Sequence, residues 1–145
     1  MRNVIIVILS CILSQSVWAR DDIATYSIAD LLATEKAKTA LSDIPLYFGV
    51  SPTPQVAKTY GEVMTNKKTN AFMKSDLEAC QWVMLSALKS LQQRAVKEGM
   101  NAVINIQSYY KKREFISETE FECGAGAVMA GVTLKGTLVK IENNK

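Results

Sequence analysis

The chain has 145 residues, 48% hydrophobic and 21% charged, with 17 Lys+Arg against 14 Asp+Glu and a formal net charge of +3. This is one domain's length and an ordinary globular composition, which excludes collagen-like, coiled-coil and low-complexity architectures and offers no concentrated basic field for nucleic acid. There is no histidine. Ser-His-Asp and Cys-His catalysis, histidine-ligated zinc or haem, and imidazole pH switching are therefore excluded.

Residues 1–19 read as a secretory signal peptide. Arg2 is a short positive region, residues 4–13 are an apolar run, and Val17-Trp18-Ala19 is a small-residue cleavage site. The apolar run is about half the ~20 residues a spanning helix needs. Cleavage after Ala19 is expected, leaving residues 20–145 as a single periplasmic domain. Ile8-Leu9-Ser10-Cys11 resembles a lipobox, but Leu9 is bulky and the apolar run before Cys11 is short, so a lipid anchor at Cys11 is the less favoured outcome. Of three cysteines, Cys80 and Cys123 then remain. An even pair in an exported chain reads as a disulfide.

The elements follow in chain order. Ser27 caps a short helix over residues 28–32, and Thr34 caps a second. Leu46-Tyr47-Phe48 is a short strand. Ser51-Pro52-Thr53-Pro54 is a stiff loop. Residues 56–65 are a strand broken near Gly61, and residues 66–70 a polar connection. The strongest helix covers residues 76–98. Ser75 and Glu78 form its capping box, Leu77, Cys80, Met84, Leu88, Leu91 and Ala95 make its apolar stripe, and Gly99 stops it. Gln81, Lys89, Gln92, Gln93 and Lys97 are expected to face mostly away from the core.

Residues 102–106 are a buried strand continuing through Tyr109 and Tyr110. Residues 111–122 read as a hairpin, with Lys111 opposite Glu120, Arg113 opposite Glu118 and Tyr110 opposite Phe121. Cys123 ends that strand and Gly124 breaks it. Val132, Leu134 and Leu138 alternate with Thr133, Lys135 and Thr137 in a half-buried last strand, where Gly136 leaves room for a close neighbour. The sum is an α+β fold: one long helix on an antiparallel or mixed sheet of about four to five strands, with short N-terminal helices.

Candidate chemistry is sparse. Gly124, Gly126 and Gly131 form the one glycine-rich stretch. No Lys-Ser/Thr follows them, so neither ATP nor any other nucleotide is an expected cofactor, and a bend entering the last strand is the plainer reading. Glu118, Glu120 and Glu122 fall on one strand face, a weak oxygen site for a divalent ion, but Lys111 and Arg113 are expected to pair with two of them. No serine lies in a nucleophile elbow. The residues therefore predict no enzyme, no metal and no cofactor.

Residues 66–72 (NKKTNAF), 78–83 (EACQWV), 99–112 (GMNAVINIQSYYKK) and 121–126 (FECGAG) resemble an exported bacterial family often labelled "excinuclease ATPase subunit". The label does not fit a chain without a phosphate loop. Gly61-Glu62-Val63, the Ala-containing helix, Asn101-Ala102-Val103 and the closing strand also resemble YbjQ-like proteins and the C-terminal domain of RcsF-type stress-sensor lipoproteins. The first resemblance implies a small α+β protein able to form rings, nominally a heavy-metal binder. The second implies envelope stress sensing. The expected function is a non-catalytic periplasmic interaction or stress sensor-accessory module acting on another envelope protein. An envelope ligand- or metal-binding protein is the alternative. Self-association, where it occurs, is expected at sheet edges, with residues 56–65 the candidate edge.

Overall fold

The computed structural model describes residues 20–142. The signal peptide, its cleavage site at Ala19 and Cys11 lie outside the described residues. The chain runs β1 (Asp22–Ser27), α1 (Ile28–Leu32), α2 (Glu35–Ala40), β2 (Leu46–Phe48), β3 (Val56–Asn70), α3 (Asp76–Lys97), β4 (Ala102–Ser108), a 3-10 turn (Tyr110–Lys112), β5 (Glu120–Ala125) and β6 (Met129–Ile141). This is α+β: α3 packs on a six-stranded mixed sheet whose one parallel pair is β2 with β4. None of the described helices is long and apolar enough to cross a membrane.

β6 organises the sheet. β3 runs antiparallel along its length, from Val56↔Ile141 to Asn70↔Met129. Its other edge is shared: β5 pairs at Ala130 and Gly131, β4 at residues 134–139, with β1 beyond β5 and β2 beyond β4. On the α3 side β6 presents Val132, Leu134 and Leu138 to the helix residues Val83, Met84, Leu88 and Leu91, all buried. Gly136 lies between them, where a Cβ would sit 2.8 Å from Val103 Cγ1. The anticipated close neighbour is therefore the β4 side chain.

The hydroxyl caps act where expected, but the capping box of α3 is half made: Ser75 accepts the Glu78 N–H, while the exposed Glu78 carboxylate does not return a bond to the Ser75 N–H. Ser27, Thr34 and Ser75 each accept a backbone N–H at the start of their helices, which satisfies donors the first turn leaves orphaned. Cys80 and Cys123 form the disulfide, with Cα atoms 5.9 Å apart and both side chains fully buried. The bridge joins the second turn of α3 to the middle of β5.

Several expectations are corrected. Residues 66–70 are not a connection but the last third of β3. Asn66, Lys68 and Asn70 are exposed while Lys67 and Thr69 are half-buried. The ladder to β6 uses backbone groups, which a polar composition does not remove. Residues 22–27 are a strand that the reading of the residues missed. It takes the place assigned to a 111–122 hairpin: Tyr26 pairs with Phe121 and Ser27 with Glu120, and the Tyr26 and Phe121 rings lie 5.8 Å apart.

Tyr110 is not opposite Phe121, and β4 ends at Ser108. Lys111 and Lys112 adopt left-handed φ values of 52° and 62°, and two such residues in succession turn the chain out of the extended conformation. Gly124 does not break β5, which runs on to Ala125. On α3, Leu77 is half exposed instead of lying on the buried stripe, and Gln92 is buried instead of facing away. Gln92 shares a flank with Leu85, seven residues earlier, under the segment linking α2 to β2, and hydrogen-bonds Ser42 and Ile44 there.

Candidate interaction surface

At one end of the sheet two turns lie side by side. β3 passes into α3 through residues 71–75, and β5 passes into β6 through residues 126–128. The Ala71 N–H donates to the Val128 carbonyl at 2.7 Å, and the Gly126 N–H closes the β5–β6 turn on the Met129 carbonyl at 2.8 Å. Asn70 accepts the Phe72 N–H through Oδ1, and its carbonyl accepts from the Lys74 ammonium. Met73 is left-handed at φ 59°. These bonds hold apolar side chains outward: Phe72 is 61% exposed, Met73 90%, Val128 56% and Met129 48%. Scattered apolar residues are ordinary on a surface, whereas three on two adjoining turns with a fourth at the start of β6 form a patch of the kind that marks contact sites.

Beside the patch runs an open groove of about 500 Å³, with Gly124, Gly131 and the 126–130 segment along it and Arg20, Lys68 and Tyr110 at its sides. The glycines are required by close approach, not by a phosphate. A Cβ on Gly124 would lie 2.2 Å from the Tyr110 hydroxyl, and one on Gly126 would lie 2.6 Å from the Arg20 carbonyl. Tyr110 thus lies flat over the sheet. Its hydroxyl donates weakly to Asp21 Oδ1 at 3.4 Å, and Lys111 pairs with Asp21 Oδ2. Burial first, then the Asp21 charge, raises the Tyr110 pKa. The Lys111 hydrogen bond lowers that of Asp21. That stabilisation is present above the ordinary carboxylate pKa and is lost as pH falls through the lowered one; both partners are solvated, so the effect is small. Arg20 Nη2 donates to Asp76 Oδ1 at 2.7 Å, which fastens the start of the described chain to the first turn of α3.

The three carboxylates do not converge. Glu118 precedes β5, Glu120 is exposed, and Glu122 is buried. Lys111 turns to Asp21 instead of Glu120, and Arg113 pairs with Glu122, not Glu118, at 3.0 Å. Among the described residues no three His, Cys, Asp or Glu side chains are grouped to hold a metal. Glu122 Oε2 is buried with no hydrogen-bond partner, a cost that the Arg113 bond to Oε1 offsets. Arg113→Ala is expected to destabilise the domain by about 1–3 kcal/mol, because it leaves a buried carboxylate alone. In a Glu122→Gln background the same change should cost less than about 1 kcal/mol. Urea titrations of the four proteins measure this, and equal costs in both backgrounds would show that the pair is not coupled.

Compared with protein-family models, with curated proteins and with solved structures, the chain matches none. Neither the exposed Phe72–Met73 turn nor its neighbour at Val128 was picked out from the residues alone. The available signal was Phe72-Met73 directly before a strong helix cap, where an apolar pair has no helix or strand face to occupy.

Proposed function

We propose that this protein is a non-catalytic interaction module of the bacterial envelope, exported, cleaved after Ala19 and active in the periplasm as a stress sensor-accessory component. Its partner is another envelope protein, docked on the sheet end formed by Phe72, Met73, Val128 and Met129. The observation that carries this reading is the hydrogen-bonded pairing of two turns that leaves those side chains in solvent. The signal-peptide pattern, the cysteine pairing suited to an oxidising compartment, the absence of histidine and the resemblance to envelope sensors support it. Enzymatic work would have to rest on carboxylates, lysines or tyrosines, and the one buried carboxylate among the described residues, Glu122, is engaged by Arg113.

A photo-crosslinking side chain placed at Phe72 or Val128, in cells under envelope stress, tests the proposal. Both positions should yield the same discrete adduct, and Lys97 at the far end of α3 should not. Phe72→Asp with Met73→Asp should abolish the adduct formed from position 128 while shifting stability by no more than about 0.5 kcal/mol, since both side chains are exposed. Adducts of equal yield from Lys97, or none at either turn, would remove the proposed surface. Intact mass of the exported protein should begin at Arg20. An acylated Cys11 as first residue would place it on a membrane leaflet instead.

A further inference from the structure

β3 is a 15-residue strand that pairs only with β6 among the described strands, so one full backbone edge lies open. The hydrogen bonds on the far side of β6 show which residues present that edge. The Val139 carbonyl accepts from Asn101 N–H and the Thr133 carbonyl from Tyr109 N–H. Odd-numbered β6 residues in this stretch therefore turn their backbone toward β4, and even-numbered ones toward β3. Gly61, Val63, Thr65 and Lys67 stand opposite Leu138, Gly136, Leu134 and Val132 and spend their backbone groups there. Glu62, Met64, Asn66 and Lys68 are left pointing N–H and C=O outward at the open edge. All four side chains are exposed on the face away from α3.

We infer that a second copy of this chain occupies that edge, β3 against β3 in antiparallel register about a two-fold axis at Thr65. The charges select the register. Only this axis sets Glu62 of each copy opposite Lys68 of the other, twice by symmetry, with Met64 opposite Asn66 between them. Moving the axis to Met64 sets Lys68 against Tyr60 and Glu62 against Asn66. Moving it to Asn66 sets Lys68 against Met64 and Glu62 against Asn70. In the Thr65 register the outward residues meet as hydrogen-bonded pairs, about eight backbone bonds in all, and the result is a continuous sheet across the dimer. Opposite charges directly across antiparallel strands attract and like charges repel. The edge is thus self-complementary in a way that a strand bearing only lysines would not be.

The test uses the mature chain, residues 20–145, in sedimentation velocity up to millimolar concentration. The wild type should dimerise. Glu62→Lys alone and Lys68→Glu alone should each weaken the dimer by about tenfold or more, because each sets like charges opposite twice. The double reversal should recover it. Thr65→Cys should form an intermolecular disulfide under mild oxidation, since the axis brings Thr65 opposite itself, and Met64→Cys should not. A strict monomer, a dimer indifferent to both reversals, or Met64→Cys crosslinking as fast as Thr65→Cys would overturn the inference. The crosslinking pair decides the matter even where a charge reversal disturbs the nearby Glu62–Lys135 contact at 3.6 Å.

Discussion

Replacing Cys80 and Cys123 together by alanine should lower stability by about 4 kcal/mol, the entropic value for a bridge across 43 residues. Both sulfurs are fully buried between α3 and β5, and an alanine pair leaves only a small void, so the loop-closure term dominates. The protein gains the bridge's benefit through the unfolded state: an open chain must bring the second turn of the helix to the middle of a strand that lies beyond β4. A domain of this size has about 5–15 kcal/mol in total, so the loss is a large share. It should appear as a drop of roughly 10–20 °C in melting temperature, and as poor accumulation of the folded protein. Thiol labelling of the denatured, unreduced wild type should find neither cysteine free. A double variant melting within a few degrees of wild type would remove the bridge from its place as main staple of the fold.

Gln92→Leu is the second large effect. The volume is nearly kept, so packing alone predicts little change. The amide, however, accepts the Ser42 N–H through Oε1 at 2.9 Å and donates through Nε2 to the carbonyls of Ser42 and Ile44, at 3.0 and 2.8 Å. Leucine would leave these three backbone groups without partners beside an apolar side chain. A loss of about 1–3 kcal/mol is expected, since the three bonds are only part-buried and the exposed Ser42 segment can turn to water in place of the amide. Hydrogen exchange at Ser42 should accelerate more than at the β6 amides. Gln92→Glu supplies a sharper check. Its carboxylate would face two carbonyls, so it should be at least as harmful near neutral pH. Its folded-state pKa is raised, so stability should return as pH falls and the protonated acid donates again. A leucine variant within about 0.5 kcal/mol of wild type would mean that the segment bonds water equally well.

The disulfide and Gln92 mark how far the sequence could be read. The disulfide was legible because it was expected from a signal-peptide pattern and an even cysteine count, which depend on composition and not on geometry. Gln92 was not. Its polar side chain sits among helix positions that the apolar period assigns to solvent, and only the return of residues 42–44 over that flank gives the amide its partners. Leu77 errs in the other direction: it has the right period but lies in the first turn of α3 and is half exposed.

The helix caps at Ser27, Thr34 and Ser75 and the span of α3 were determined by the sequence itself, whereas β6, read as half-buried, is buried on both faces, with Thr133 and Val139 enclosed as well as Val132, Leu134 and Leu138. The caps and the helix rest on residues within a turn or two of one another, where spacing and hydroxyl chemistry suffice. The α+β class followed from the sum of the elements. Tertiary structure decided the rest. β1 and not residues 111–113 pairs with β5; β3 runs on through a polar stretch to Asn70; Phe72, Met73 and Val128 meet at one end of the sheet. Pairing between distant strands is made by backbone groups that every residue carries, so side-chain identity names a strand without naming its neighbour. The neighbour is chosen by how the whole chain buries its apolar faces at once, and the exposed surfaces of this protein are what that choice leaves over.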